Sequence, residues 1–544
     1  MRADARPSLA GQEFEIVVIG GGINGVAIAR LCALAGRRTL LVERHDFGSG
    51  TTSRSTRIIH GGLRYLEYGE LALVRESLQD RARLLRDRRH LVHPLNFLLA
   101  LPPDGRRNVL EIRLGLWLYR KLGGTPKPIR ARELSAQLER LLDSGQKWSV
   151  LCYEDAQCEF PERLVAEWLV EGIVGGLVAR NHSELLAAET SAGRVTGIRV
   201  RDVLSSEEAR ISASSIINAT GPWADSVCRD SGIHTPTPLI GGVRGSHIVL
   251  PRLAGAPESA IYTEAVDSRP VFLIPWNNQL LVGTTEVADN SDARCARPSS
   301  EEIVYLLDSV HRLFPHWKVG FGDIRFAWAG IRPLPFVPAS AAASITRRHF
   351  LHDHAEEGAA GMISVVGGKL TTAASLARQC VAGMGIETVE PQGWSIAAGG
   401  QDFSIALLRW SRELAQTGGI SLDSARAMIE WQGRSAEAIA QLAASDDRLR
   451  LTLCEHTPHL VAEAVYALRK ELPVTLADVV LRRVPVGLGA CWSAECSRTA
   501  SQRIGAVLGW SEAEVARRAE DCEQERGEFR RLPDPAPLAS PLSR

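Results

Sequence analysis

The sequence has no excess of either charge, because 63 Lys and Arg residues are matched by 63 Asp and Glu residues. This balance argues against a protein that binds nucleic acid through bulk positive charge. No run of about 18 uninterrupted apolar residues occurs, so the sequence predicts no membrane-spanning helix. The opening residues, MRADARPSLAGQE, lack the apolar core of a signal peptide, and we therefore expect a cytoplasmic protein.

The cysteines also lack a recognisable pattern. All ten are scattered along the chain, and none has the C-x-x-C spacing of zinc or redox sites. The closest pairs are Cys152 with Cys158 and Cys491 with Cys496. The sequence therefore predicts reduced, mostly buried cysteines and no metal site.

The remaining composition is that of a folded chain, since 45% of the residues are hydrophobic and 23% are charged. A length of 544 residues suggests two to four domains with large buried cores. This composition excludes a disordered or collagen-like protein. Only the proline-rich end, residues 533–544, is predicted to be a disordered tail.

A glycine-rich turn follows the first apolar segment. Residues 14–19 (FEIVVI) predict a buried parallel strand, which runs directly into residues 20–25 (GGGING). A helical pattern follows, and a second strand at 39–42 ends in Glu43, about 20 residues beyond the turn. A carboxylate at that position can accept hydrogen bonds from a ribose. The strand, turn, helix and second strand together predict a bound dinucleotide.

Each glycine of this turn has an expected role. Gly20 permits the tight turn, Gly22 lets the backbone approach a pyrophosphate, and Gly25 lets the helix pack on the strand. The helix N-terminus adds N–H groups for the phosphate anion. Glu43, in the place of an arginine, disfavours the 2′-phosphate of NADP.

Three later segments favour a long cofactor. Residues 47–55 (FGSGTTSRS) form a hydroxyl-rich loop, and residues 215–221 (SIINATG) and 362–368 (MISVVGG) are strands that end in tight turns. A cofactor contacted from several distant segments is long, which favours FAD over NAD. Taken alone, each segment is also compatible with an ordinary connection in an α/β sheet.

Together these segments resemble the FAD-dependent glycerol-3-phosphate dehydrogenases, within the glutathione-reductase-like and D-amino-acid-oxidase-like flavoproteins. The matching motifs cover nearly the whole chain apart from its two ends. They are VVIGGGINGVAIAR at 17–30, TTSRSTRIIHGGLRYLE at 51–67, INATGPWAD at 217–225, RGSHIVLPRL at 244–253, FLIPWNNQLLVGTTEV at 272–287, AGIRPL at 329–334, GGKLTT at 367–372, HLVAEAVYALRKEL at 459–472 and TLADVVLRRVPVGL at 475–488.

The sequence also departs from the family pattern near the cofactor and the pocket. Ala373 and Ala374 stand where the family usually has a tyrosine and an arginine, and Glu286 stands where it has an aspartate. Residues 158–164 (CEFPERL) differ as well. These departures leave the exact substrate open.

The resemblance implies an α/β fold with an FAD-binding Rossmann-like, glutathione-reductase-like domain, an antiparallel-sheet substrate domain and a C-terminal α-helical domain. We expect an oxidoreductase region over residues 1–400 and a separate helical domain over 401–532. The expected FAD-binding segments are about 14–70, 150–226 and 355–400, and the expected substrate-binding segments are about 71–149 and 227–354. Helix starts in the helical domain are predicted at Ser421, Ser435, Thr475 and Ser511.

The resemblance and the turns imply a set of cofactor-binding residues. They lie in the glycine turn, the end of the second strand, the hydroxyl-rich loop, the HGGL turn and the two downstream joints. The set is Gly20, Gly22, Asn24, Gly25, Glu43, Arg44, Thr51, Thr52, Ser53, Ser55, His60, Gly61, Gly62, Leu63, Ala219, Thr220, Gly221, Gly368, Lys369, Leu370 and Thr371.

Flavin-linked alcohol oxidation also needs a base and positive groups that bind an anionic substrate and polarise its oxygen. His247 is the candidate base, because imidazole titrates near neutrality, although an isolated histidine is more often structural. Arg332, on a turn fixed by proline, is the candidate for the substrate oxygen, and Lys369 is placed to stabilise negative charge on reduced flavin.

Three more residues are substrate contacts implied by the resemblance, two of them arginines that can hold a phosphate with paired hydrogen bonds. For an arginine chosen without a motif, a solvated surface ion pair is the better interpretation. The three residues are Arg64, Tyr65 and Arg347.

The function expected from this resemblance is the oxidation of sn-glycerol 3-phosphate to dihydroxyacetone phosphate, with a quinone as electron acceptor. A longer polyol phosphate such as erythritol phosphate, or oxygen as acceptor, remains open. So does an amine or amino-acid oxidase, which would have less use for clustered arginines and a lysine around one anion. A third alternative is an interaction module with residues 402–532 as its docking surface.

Residues 109–121 (VLEIRLGLWLYRK) form an apolar run with basic flanks and an aromatic end. This pattern fits a peripheral contact with the cytoplasmic membrane face, and a core helix is equally compatible. A homodimer is also compatible with the sequence, whereas no nucleic-acid partner is expected.

Overall fold

The computed structural model describes residues 8–66, 69–103, 105, 108–124, 130–289, 291–337, 348–388, 390, 393–397 and 402–534. Residues 535–544 of the predicted tail lie outside this range, as does Arg347. The strands are β1 (Glu13–Ile19), β2 (Thr39–Val42), β3 (Ile58–Ile59), β4 (Val92–Leu101), β5 (Ser149–Cys158), β6 (Val178–Arg180), β7 (Ser183–Ser191), β8 (Arg194–Asp202), β9 (Glu208–Asn218), β10 (Ile240–Pro251), β11 (Ala260–Glu264), β12 (Pro270–Trp276), β13 (Gln279–Gly283), β14 (Val287–Ala288), β15 (Phe326–Pro335), β16 (Phe350–Asp353) and β17 (Met362–Val366).

The helices cover the first sheet, flank the second, and make up most of the last third of the chain. They are α1 (Ile23–Leu34), α2 (Leu71–Asp87), α3 (Val109–Gly123), α4 (Ala131–Glu139), α5 (Pro161–Val174), α6 (Ala224–Asp230), α7 (Ser300–Leu313), α8 (Ala373–Gly383), α9 (Phe403–Gly418), α10 (Leu422–Gln432), α11 (Ala436–Ala444), α12 (Val461–Lys470), α13 (Leu476–Asp478), α14 (Ala494–Leu508) and α15 (Glu512–Arg530).

The first sheet has the strand order β16-β17-β9-β1-β2-β6, with β8 and then β7 extending from β9. Strand β1 is apolar and buried because parallel strands lie on both of its sides, β2 and β9. Ile19, its last residue, pairs in register with Val42 and with Asn218. The carboxyl ends of three parallel strands therefore meet at one edge, where α/β sheets bind their ligands.

The second sheet has the order β14-β10-β13-β12-β11-β4-β5-β3, and β15 pairs with the other edge of β10. It is mixed and not purely antiparallel as expected, because β11 pairs with β4 in parallel. A long stretch of chain separates these two strands, which allows the crossover that a parallel pair needs. Strands β3 and β5 lie in this second sheet, although they fall within the expected FAD-binding segments. Conversely, β16 lies in the first sheet, although it falls within the expected substrate-binding segment.

The helical domain begins with α9, and its buried residues form one hydrophobic cluster with residues of the second sheet. The four predicted starts are the residues that precede helices α10, α11, α13 and α15. A buried ion pair fixes the domain to α5, since Arg163 Nη1 lies 2.7 Å from Glu471 Oε2. The helical domain is therefore an integral part of the folded chain.

Most cysteines are buried, as the sequence predicts, and all ten are free thiols. Within the part of the chain that is described, no helix is both long and apolar enough to cross a membrane.

Candidate active site

The glycine turn after β1 contains two positions that tolerate no side chain. Gly20 has a φ of +100°, and a Cβ there would lie 2.7 Å from the Ala219 carbonyl oxygen. A Cβ on Gly25 would lie 1.9 Å from the Gly20 carbonyl oxygen, so only glycine lets α1 approach the strand end this closely. Gly22 caps α1 and faces a cavity with its backbone. The turn thus presents a helix N-terminus to an open space.

Glu43 stands at the end of β2, beside this turn. Its Oε2 accepts a hydrogen bond of 2.7 Å from Gly21 N–H, and its Oε1 accepts one of 2.8 Å from His45 N–H. Burial raises the pKa of this carboxyl, against the opposing effect of those two hydrogen bonds. Each oxygen keeps a second lone pair, so the carboxylate can still accept a ribose hydroxyl.

A cavity of about 1520 Å³ extends from the glycine turn to the second sheet. This volume exceeds the roughly 300–1,000 Å³ of ordinary small-molecule sites, and it is large enough for a dinucleotide together with a substrate. Most of the predicted cofactor residues line it. These residues are Gly20, Gly22, Asn24, Glu43, Arg44, Thr51, Thr52, Ser55, His60, Gly62, Leu63, Ala219, Thr220, Gly221, Gly368, Lys369, Leu370 and Thr371.

Three predicted cofactor residues do not line the cavity and instead support its wall. Gly25 packs against Gly20, as described above. Ser53 is buried, and its hydroxyl donates to Ser49 O at 2.9 Å, which closes the turn of the hydroxyl-rich loop. Gly61 donates its N–H to Tyr119 Oη at 2.7 Å.

The cavity has unused polar groups that suit FAD. Asn24 Oδ1, in the first turn of α1, is buried and has no hydrogen-bond partner among the described residues. A Cβ on Gly368 would lie 2.4 Å from Asn24 Nδ2, so this glycine keeps the backbone close to the asparagine. With the helix N-terminus at Gly22 for the pyrophosphate and Glu43 for the ribose, these residues fit the adenosine and pyrophosphate parts of FAD.

His247 lies on β10 and lines the same cavity, although only 2% of its surface is exposed. Its Nε2 is 3.0 Å from Thr56 Oγ1, and its Nδ1 has no hydrogen-bond partner in the described part of the chain. Burial, and then the positive charges of Arg332 and Arg57, lower the pKa of His247 to about 3. The imidazole is therefore neutral at physiological pH, the state that can accept a proton.

Two glycines on neighbouring strands of the second sheet make room for the side chains of His247 and Arg332. A Cβ on Gly283 would lie 2.2 Å from His247 Cδ2, and a Cβ on Gly245 would lie 2.4 Å from Arg332 Nη2. Arg332 donates from Nη2 to Thr284 Oγ1 at 2.8 Å. Its guanidinium is thus held in one orientation toward the cavity.

Lys369 follows two glycines with positive φ and lines the cavity from the side of the first sheet. Its Nζ donates to Ser77 Oγ at 3.3 Å and lies 4.3 Å from the centre of the Tyr65 ring. Tyr65 is therefore placed by the structure at the same site. The side chain of Arg64 and the whole of Arg347 lie outside the described part of the chain.

Two residues of the site, Thr56 and Arg54, were not predicted from the sequence. Arg54 belongs to the hydroxyl-rich loop and Thr56 directly follows it, yet the residues that they contact are distant in sequence. Arg54 lines the cavity with its guanidinium 4.1 Å from the centre of the Phe529 ring, and burial lowers its pKa to about 10. Among the described residues Arg54 has no ion pair. The contact with Phe529 of the last helix, α15, therefore helps to hold this cation beside the cavity.

Comparisons with known proteins agree with this geometry. Residues 15–374 match the family described as FAD dependent oxidoreductase, and residues 396–515 match the C-terminal domain of alpha-glycerophosphate oxidase. The glycerol-3-phosphate dehydrogenase of Synechocystis sp. is 35% identical over 89% of this chain and 90% of that protein. The mitochondrial glycerol-3-phosphate dehydrogenase of Rattus norvegicus is 31% identical over 92% of this chain and 71% of its own length.

Solved structures show the same fold. The glycerol-3-phosphate dehydrogenase of Bacillus halodurans, complexed with FAD, matches with a TM-score of 0.75 at 23% identity, covering 98% of this chain and 97% of that chain. The L-alpha-glycerophosphate oxidase of Mycoplasma pneumoniae matches with a TM-score of 0.51 at 15% identity, over 70% of this chain and 97% of that chain. The predicted FAD cofactor and α/β fold are confirmed. The chain therefore belongs to the FAD-dependent glycerol-3-phosphate dehydrogenase family and is an FAD-dependent oxidoreductase.

Proposed function

We propose that this enzyme oxidises sn-glycerol 3-phosphate to dihydroxyacetone phosphate and passes the electrons to a quinone. One observation carries the substrate part of this proposal. The neutral imidazole of His247 and the cations Arg332 and Lys369 line a single cavity that also contains the glycine turn. A secondary alcohol that carries a phosphate needs both kinds of group, a proton acceptor and positive charge.

His247 is proposed as the proton acceptor for the hydroxyl group of the substrate. Its low pKa keeps the ring neutral before substrate binds, and the contact from Thr56 to Nε2 orients it. A phosphate dianion in the same cavity offsets the positive field of Arg332 and Arg57, which raises the proton affinity of the imidazole when substrate is bound. The base is therefore most effective in the enzyme–substrate complex.

Arg332 and Lys369 are proposed to act on the negative charge of the substrate and of the reduced cofactor. Arg332, held by Thr284, stabilises the carbinol oxygen as it loses its proton, while Lys369 stabilises the reduced flavin. FAD, when bound, accepts the hydride from the carbinol carbon at flavin N5. For Arg64, Tyr65 and Arg347 we propose a role in holding the phosphate.

The quinone part of the proposal is supported by one exposed helix face. Leu110, Leu114 and Trp117, one turn of α3 apart, are 70%, 66% and 50% exposed, and all three lie on the same face. Basic residues lie in the last turn of this helix. An apolar face with basic flanks suits contact with an anionic membrane surface, where quinones are dissolved.

The two interpretations of residues 109–121, a membrane contact and a core helix, apply to different faces of α3. Tyr119, at the aromatic end of the run, is buried and donates its hydroxyl to Asp155 Oδ2 at 2.7 Å. The helix is amphipathic, so its apolar residues divide between a buried face and an exposed face. The exposed residues Leu114 and Trp117, and not Tyr119, are the proposed contact.

The substrate assignment is tested by anaerobic stopped-flow reduction of the flavin, which does not involve the electron acceptor. Glycerol 3-phosphate should reduce the flavin much faster than free glycerol, erythritol 4-phosphate or glycine. Arg332→Ala should slow this reduction by roughly 10²–10³-fold, as for the loss of a donor to a developing oxyanion. Faster reduction by an amino acid than by any polyol phosphate would overturn the assignment.

A further inference from the structure

Two segments of the helical domain bring cysteine and histidine side chains together, away from the cavity. Cys454 and His456 lie in the loop before α12, and Cys496 lies in the first turn of α14. The sulfur atoms of both cysteines and a ring nitrogen of His456 lie within 4.8 Å of one another. Cys496 Sγ is 4.0 Å from His456 Nδ1. None of these residues lines the proposed active site.

A fourth candidate ligand, Cys491, borders this cluster. Its Sγ lies 3.8 Å from the carbonyl oxygen of His456, and its own carbonyl oxygen lies 3.7 Å from Cys496 Sγ. The Cys491 side chain is exposed and precedes α14 by three residues, so it is free to adopt another χ1 rotamer. A fourth bond from Cys491 needs such a rotation, because only Cys454, His456 and Cys496 hold their ligand atoms within 4.8 Å of one another.

Local hydrogen bonds hold both segments in place. The loop that carries Cys454 is closed by a hydrogen bond of 2.8 Å from Leu453 N–H to His459 O. Ser493 caps α14 by accepting the N–H of Cys496 at 3.4 Å, which places that sulfur at a helix N-terminus, where a thiolate is stabilised. Arg503 Nη1 of α14 donates to Thr452 O at 2.7 Å and ties the helix to the loop.

These distances suit a single metal ion. Zinc binds sulfur at about 2.3 Å and imidazole nitrogen at about 2.0–2.1 Å in a tetrahedron, which separates neighbouring ligand atoms by roughly 3.5–3.8 Å. Cys496 Sγ lies 4.0 Å from His456 Nδ1, and all three ligand atoms lie within 4.8 Å of one another, so binding of the ion would draw them inward by up to about 1 Å. Three thiolates and one imidazole form a ligand set that structural zinc sites use, and soft thiolate ligands exclude magnesium and calcium.

We propose that Cys454, His456, Cys491 and Cys496 bind one Zn²⁺ ion that fixes the loop before α12 to the start of α14. The three thiols lose their protons on binding, and no oxidation or reduction is involved. The sequence analysis predicts no metal site because the ligands come in a C-x-H pair and a C-x₄-C pair far apart in the chain. The fold brings the two pairs together.

The proposal is tested on the full-length holoenzyme, purified without added metal, by inductively coupled plasma mass spectrometry. About one zinc per chain is expected. Cys454→Ser with Cys496→Ser should lose that zinc and lower the melting temperature, with FAD content nearly unchanged. Cys295→Ser, which removes an exposed thiol elsewhere, is the matched control and should keep both zinc and stability.

If the double variant fails to fold, the site can still be tested in the wild-type enzyme by replacing the bound metal with Co²⁺ and recording the absorption spectrum. Co²⁺ in a tetrahedral site with three thiolates should give strong d–d absorption in the visible region and a thiolate charge-transfer band in the near ultraviolet. His456→Cys should retain zinc, because four thiolates also form a zinc site. Absence of zinc and of a cobalt spectrum, a Cys454–Cys496 disulfide in the purified enzyme, or iron with acid-labile sulfide would each overturn the proposal.

Discussion

Asp46 and Arg483 form a buried ion pair between the first sheet and the helical domain. Arg483 Nη2 donates to Asp46 Oδ1 at 2.8 Å, and Nη1 donates to Oδ2 at 2.9 Å. The side chains are 0% and 1% exposed. Asp46 lies three residues beyond Glu43, so the helical domain anchors the loop that carries the proposed ribose contact.

This pairing predicts a large stability effect from a residue far from any reacting atom. Arg483→Leu leaves Asp46 paired with Arg482, whose Nε lies 2.5 Å from Asp46 Oδ2, so the variant should cost about 1–3 kcal/mol, less than a fully unpaired buried charge. The free energy of unfolding in urea should fall by that amount, and FAD retention should fall with it. The exposed Arg517 of α15, paired with Asp521, provides the control Arg517→Leu, which should cost about 0.5 kcal/mol or less. An unchanged stability of Arg483→Leu would show that the pair adds nothing.

His247→Asn should slow reduction of the flavin by glycerol 3-phosphate by roughly 10²–10⁴-fold, with near-normal FAD content. Thr56→Val should cause a smaller loss, because it removes only the hydroxyl that orients the ring. Since the pKa of His247 is lowered to about 3 in the enzyme without substrate, its protonation should not lower kcat/KM between pH 5 and 8. A wild-type reduction rate in His247→Asn would assign the histidine a structural role.

Glu43→Ala should lower FAD occupancy, since the carboxylate organises the turn at Gly21 and is the proposed partner of the ribose hydroxyls. The flavin that remains bound should react at nearly the wild-type rate, because Glu43 is proposed to contact the ribose and takes no part in the proposed proton transfer. Occupancy is read from the ratio of flavin to protein absorbance. Glu15→Ala, at an exposed pair with Arg37, serves as control and should bind FAD normally. Equal occupancy in both variants would exclude Glu43 as a ribose contact.

The stability of the protein should fall as pH rises from about 4 to 6, in part through Asp155. Burial raises the pKa of this carboxyl from 3.8 to about 6, despite hydrogen bonds from Arg81 and Tyr119. Between these two pKa values the folded state holds a proton that the unfolded state releases. The stabilisation that the protonated Asp155 gives is therefore complete below the unfolded pKa of 3.8 and is lost as pH rises through about 6.

Asp155→Asn should therefore reduce the stability difference between pH 4 and pH 7 by about 1–3 kcal/mol. Urea unfolding at both pH values measures this difference. The exposed Asp447→Asn is the control and should leave it unchanged. A difference that persists in Asp155→Asn would place the titrating group elsewhere.

Leu114→Glu together with Trp117→Glu should abolish binding of the enzyme to vesicles that contain anionic lipids. Both side chains are exposed, so circular dichroism and FAD content should not change. Ile405→Glu replaces an equally exposed apolar residue, 71% exposed on α9, and should leave vesicle binding intact. Unaltered sedimentation of the double variant with vesicles would rule out this face of α3 as the membrane contact.

Local patterns in the sequence predict the central strands of the first sheet, β1, β2, β9 and β17, because each of them contains a short apolar run. The bounds predicted for β2 are those in the structure, and β1 differs by one residue. Local patterns do not show which strands pair across long distances, so the parallel pairing of β4 with β11 was missed. They also do not show which face of an amphipathic helix is buried, so a membrane contact and a core helix are equally compatible with residues 109–121.

In the candidate site, too, the local features could be predicted from the sequence and the long-range contacts could not. Backbone requirements at Gly20 and Gly25 are local and can be inferred from spacing. Contacts such as Thr56 with His247 or Arg54 with Phe529 depend on the tertiary fold, and no periodicity marks them. The cysteine and histidine cluster was missed for this reason, since its two halves lie on either side of α12.

Phe529 of α15 lies behind the cavity-lining residue Arg54, with the centre of its ring 4.1 Å from that guanidinium and 6.2 Å from the centre of the Trp328 ring. A ribosome adds about 5–20 residues per second, so this support emerges roughly 25–100 s after β1. Throughout that interval the nascent chain carries the glycine turn but not α15. Any product truncated before α15 therefore lacks the aromatic support of Arg54.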